Sequence, residues 1–82
     1  MTSAVYVRRS LEELLQILEQ NSGDRHVTLF KFSTGWKAVT GTPDFGFEDT
    51  RDRIFALPTF ETPKDAVIAA IARTEGQKEP EF

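Results

Sequence analysis

Four carboxylates, Asp44, Glu48, Asp49 and Asp52, fall within nine residues of the chain. Hard divalent cations such as Ca²⁺ and Mg²⁺ take oxygen ligands, so this cluster is the first candidate for chemistry. The alternating ligands of an EF-hand loop are absent, and Arg51 and Arg53 interleave as counter-ions. The stretch therefore reads as a solvated charged loop, and no metal is expected. Nucleophilic catalysis needs a Ser, Cys or Thr beside a base that a third group orients. The chain has one histidine, His26, and no cysteine. His26 follows Arg25 at the start of an apolar run and reads as a structural residue. No G-x-S-x-G elbow, Walker loop or G-x-G-x-x-G fingerprint occurs. The expectation is a protein that is not an enzyme and has no cofactor.

The 82 residues carry 39% apolar and 28% charged side chains, the balance of one small globular domain. A domain this small buries only roughly 60–65% of the surface its unfolded chain exposes. Without cysteine, self-association is the common remaining route to extra burial. The longest apolar run, Ala66 to Ala72, is far short of the roughly 20 residues of a membrane span, and the first residues lack the apolar core of a signal peptide. A cytoplasmic location is the expectation. Formal charge is −3. Met1 to Gly41 holds five basic and four acidic residues, and Thr42 to Phe82 five basic and nine acidic. Apart from Arg8 and Arg9, beside Tyr6, no basic cluster offers the footprint of a nucleic-acid binder.

The elements that must position these residues follow from pattern. Ala4 to Arg9 alternates apolar and polar and reads as a short strand or an extended lead-in. Ser10 and Glu13 make a capping box, and Leu11, Leu14, Leu15 and Leu18 fall at helical spacing up to Asn21 and Gly23. His26 to Gly41 is rich in β-branched and aromatic residues and is split by Ser33-Thr34-Gly35, which predicts a hairpin. A three-residue loop closed by Gly35 sets Phe32 opposite Trp36, and Phe30, Phe32 and Trp36 on one face as core. A two-residue loop instead pairs Ser33 with Trp36 and moves Trp36 and Ala38 to the face opposite Phe30 and Phe32. The first is preferred because it gathers the large rings. Gly41 to Arg53 reads as a loop and Arg53 to Leu57 as a third strand. Thr62, Pro63 and Asp65 open a last helix that ends at Gly76.

The predicted fold is α+β: a small antiparallel three-stranded sheet, with room for a short fourth strand at the N-terminus, and two helices on one face. Residues 1–76 form the domain, and residues 77–82 a disordered tail. Helix, three strands, helix is also the order of the double-stranded RNA-binding domain, whose last helix the stretch Thr62 to Ala72 resembles in its small apolar residues. That family's lysine-rich helix start and Gly-Pro-x-His loop are missing, only Lys64 being present, so the resemblance implies topology and not RNA binding.

With the aromatics turned toward the helices, the other sheet face holds Val27, Leu29, Lys31, Lys37 and Val39, the two lysines opposite each other. These five are the candidate partner-binding residues. The expected function is a small protein-interaction module, a regulator or inhibitor, acting as a homo-oligomer or bound to a larger protein. The alternative is a nucleic-acid-binding domain using the Lys31 and Lys37 face with Arg8 and Arg9.

Overall fold

Ser10 begins the first helix as the pattern requires: its hydroxyl accepts from the Glu13 N–H at 3.1 Å, and the Glu13 carboxylate accepts from the Ser10 N–H at 3.2 Å. The computed structural model describes residues 6–82. In chain order their elements are helix α1 (Leu11–Gln20), strands β1 (Val27–Phe32) and β2 (Gly35–Thr40), helix α2 (Glu48–Ala56) and helix α3 (Pro63–Thr74). The described residues are therefore α+β, with three helices and a two-stranded antiparallel sheet in place of the expected three strands and two helices. The segment read as a third strand is the second half of α2. Glu48 and Asp49 in its first turn and Arg53 in its last complement the helix dipole, while Thr50 and Ile54, one turn apart, are its buried residues. Of the proposed N-terminal strand, residues 4 and 5 lie outside the described residues. Tyr6 to Arg9 form a turn closed by the Arg9 N–H on the Tyr6 carbonyl at 3.0 Å.

The hairpin closes through two residues, Ser33 and Thr34, pairing Phe32 with Gly35, Lys31 with Trp36, Phe30 with Lys37 and Leu29 with Ala38. This shifts the preferred register by one residue, in the direction opposite to the Ser33–Trp36 pairing, and turns Trp36 and Ala38 to the face opposite Phe30 and Phe32. The reason lies in Gly35. It is not the closing residue of a longer turn but a strand residue at φ 141°, where an added Cβ would lie 2.4 Å from the Phe60 carbonyl oxygen. The bare backbone lets Phe60 reach the outer side of β2: the Trp36 N–H donates to the Phe60 carbonyl at 2.7 Å, and the Phe60 N–H returns to Trp36 at 2.9 Å.

On one sheet face, which we term the core face, Ala38 joins Leu14 and Leu18 of α1 and Val67, Ala70 and Ile71 of α3, all buried. Val27, Leu29 and Trp36 pack half-buried around them. Ala66 and Ala70 keep α3 slim, and the Asn21 amide donates to the Thr74 hydroxyl at 3.1 Å, tying the ends of α1 and α3 together.

Residues 77–82, expected above as a disordered tail, return to the far end of β2. The Thr40 N–H donates to the Glu81 carboxylate at 3.1 Å and the Phe82 N–H to the Thr40 carbonyl at 3.3 Å. Arg73 holds the same carboxylate at 2.7 Å through Nε and reaches the Ala38 carbonyl through Nη2, also at 2.7 Å. Gly41, at φ 87°, leaves the space: a Cβ there would meet the Phe82 oxygen at 2.2 Å. Burial works against the Glu81 charge, yet the hydrogen bonds from Arg73 and Thr40 outweigh it and hold its pKa below the ordinary carboxylate value.

Leu18 is fully buried, so Leu18→Ala is expected to cost about 2–5 kcal/mol in urea unfolding, and an unchanged midpoint would show that α1 does not dock as described. The lowered Glu81 pKa means that its contribution is present above the ordinary value of 4.5 and is lost as pH falls below it through the folded value. The protection of the Phe82 amide, its exchange rate relative to the intrinsic rate at each pH, is expected to fall over that acid range and in Arg73→Ala at neutral pH; a protection indifferent to both would contradict the clamp.

Candidate functional site

The hairpin register decides which side chains share the face opposite the core. Phe30 and Phe32 of β1 stand there, two residues apart, their rings stacked with centroids 5.8 Å apart. The loop after Gly41 adds Phe45, edge-on to Phe30 at 6.2 Å, and α2 adds Phe55, tilted against Phe32 at 6.3 Å. Phe45 is 53% and Phe55 62% exposed. With Arg51 and Ile54 the four rings line a cleft of about 260 Å³ whose walls are almost wholly apolar. Phe47, 64% exposed, lies in the same loop.

Lys37 places α2 over this face. Its side chain is buried, and Nζ donates to the carbonyls of Ile54 at 2.8 Å and Phe55 at 3.2 Å, in the last turn of α2. The Ile54 carbonyl also accepts from the Leu57 N–H at 3.1 Å, the Phe55 carbonyl has no other backbone donor among the described residues, and both lie at the negative end of the helix dipole, so a cation there is doubly favoured. The ammonium also sits between the rings of Phe32 and Phe55, at 5.6 and 5.7 Å from their centroids.

The five sequence-predicted partner residues are divided between the two faces. Val27 and Leu29 are half-buried on the core face, and Lys31 lies exposed at its end, with Nζ 5.7 Å from the Trp36 ring. Lys37 and Val39 are buried on the opposite face. The lysines are not cross-strand neighbours: Lys31 faces Trp36, and Lys37 faces Phe30. His26 is exposed, with Nδ1 3.4 Å from the Thr42 hydroxyl. Among the described residues, no three His, Asp or Glu side chains converge as a cation-holding group; Asp44 instead accepts from the Gly46 N–H at 2.8 Å, and Glu48, Asp49 and Asp52 ride on α2. Phe45 and Phe55 were not among the candidates. Their signal was the count of seven phenylalanines in 82 residues.

No protein-family model, no curated protein and no solved structure matches the chain. No helix among the described residues is long and apolar enough to cross a membrane.

Lys37→Met keeps the stem and removes the ammonium, leaving the Phe55 carbonyl without its donor and the Ile54 carbonyl with the Leu57 N–H alone. The expected cost is about 2–3 kcal/mol by urea unfolding, since hydrogen bonds to charged groups are worth about 1.5–3 kcal/mol. Faster amide exchange is expected in α2 than in α1 and α3. A variant as stable as the parent would mean that α2 is held by something else.

Proposed function

We propose that this protein is a non-enzymatic protein-interaction module, a regulator or inhibitor, whose contact surface is the aromatic patch of Phe30, Phe32, Phe45 and Phe55. The observation that carries this reading is that Phe45 and Phe55 stay more than half exposed although packed into a contiguous cluster of rings. Full burial of a large ring is worth about 1.5–3 kcal/mol, so leaving more than half of each in water forgoes roughly half of that or more, a heavy loss for a small domain. Single exposed apolar residues are ordinary, but a grouped apolar surface marks an interaction site, and aromatic anchors carry much of the energy at interfaces. The cleft between the rings suits an apolar side chain, and Arg51 at its rim adds a donor for a partner's carbonyl or carboxylate. Nucleic-acid binding draws less support, because the Lys37 ammonium is engaged by carbonyls and Lys31 lies on the other face.

Photo-cross-linking in the native host tests the patch. A benzophenone side chain at Phe55 is expected to give a discrete protein adduct that the additional change Phe45→Ser abolishes, while the same group at exposed Glu12 gives none. A folded Phe55 derivative that gives no adduct, or the adducts seen at Glu12, would remove the aromatic patch as the contact surface.

A further inference from the structure

β1 has one paired edge and one open edge. The register and the bond from the Gly41 N–H to the His26 carbonyl, 2.6 Å, mean that Thr28, Phe30 and Phe32 turn their N–H and C=O groups toward β2. Trp36, opposite Lys31, spends its groups on Phe60 at the far side, as this alternation requires. Val27, Leu29 and Lys31 therefore turn theirs outward, where among the described residues they meet no backbone partner. Such a row is a template for another strand.

We propose that this edge pairs with β1 of a second copy of the chain, antiparallel about a two-fold axis at Leu29, joining two hairpins into one four-stranded sheet. The edge is complementary to itself. A two-fold at Leu29 sets Leu29 against its own copy and Val27 against Lys31 of the other copy, so that every outward N–H and C=O of the three residues finds a partner. Charge points the same way. Between α1 and β1, along the open edge, runs a groove of about 430 Å³ lined by Leu15, Glu19, Val27 and Leu29, with Arg25 and His26 among its other walls. Glu19 has no ion-pair partner among the described residues, and neither has Lys31. The pairing lays the stem of Lys31 across Val27 of the other copy and brings its ammonium to the groove that holds Glu19. On the opposite face the two Phe30 rings become diagonal neighbours, within reach of each other, and the aromatic patches join. The inference deepens the interaction-module reading by naming one partner, and it does so from a different surface.

Sedimentation equilibrium and concentration-dependent amide exchange on the full chain test it. A dimer is expected, with exchange at Val27, Leu29 and Lys31 slowing as concentration rises from micromolar to millimolar, while Thr28 and Phe30 stay unchanged. Lys31→Pro, which removes an N–H unused within the chain, is expected to weaken association at least about tenfold. Lys31→Glu and Glu19→Lys are each expected to weaken it, and the two together to restore it. A monomer at millimolar concentration overturns the pairing, as does a dimer whose Val27, Leu29 and Lys31 amides stay unprotected. Edge amides protected in a chain that sediments as a monomer also overturn it, since the edge is then covered within one chain. A monomer that still gives the Phe55 cross-link to a host protein overturns the pairing alone and leaves the patch standing. A dimer with protected edge amides and no Phe55 adduct supports the pairing and removes the patch.

Discussion

A single buried ammonium, that of Lys37, joins the hairpin to α2, and the character of one whole face depends on it. α2 brings only Thr50 and Ile54 into the interior, too little apolar surface to dock a helix by itself. What it has besides is a set of carbonyls at its end that need donors. Lys37 supplies them from the strand beneath, and its desolvation is offset by two carbonyl oxygens and two ring faces. Because the ammonium holds the last turn, Phe55 on that turn is held against Phe32. The aromatic surface is thus a consequence of how one helix end is satisfied.

β2 is the hub around which the remaining elements are arranged. Its core face takes α3 and α1, its opposite face takes α2 through Lys37, and its outer edge takes Phe60, Arg73 and Glu81 in turn. A two-stranded sheet is marginal alone, and this one survives because nearly every polar group and face of β2 has an assignment. β1 is held by β2 on one side and by a few helix side chains above it, and it is left with the open edge.

The two flanking helices were legible because their signals are local. Ser10 with Glu13, and Thr62 with Pro63 and Asp65, are complete start signals within four residues, and the hydroxyl of Thr62 does accept from the Asp65 N–H at 3.1 Å. The hairpin was legible as a hairpin, but its register was not. Ser33-Thr34-Gly35 is compatible with two turn lengths, and what decides between them is Phe60, twenty-five residues beyond Gly35. α2 was hidden by a boundary drawn at Arg53, which cut its one buried spacing, Thr50 to Ile54, in half. The candidate surface inherited both errors. Choosing the register that gathered the rings placed Phe30 and Phe32 in the core, and the faces then exchanged their contents. The tail shows the same limit, since nothing in Glu81 or Phe82 announces that Arg73 and Thr40 await them.

The two sides of the hairpin are finished differently. Gly35 and Gly41 admit foreign backbone so closely against β2 that no further strand can enter there, whereas among the described residues β1 is bordered on its outer side only by the shelf of α1. A sheet assembled from copies of such a chain has one site of growth per copy, and joining two copies consumes both. Elongation into a ribbon or fibre, the hazard that accompanies any unprotected hairpin, is stopped by the glycines on the far strand.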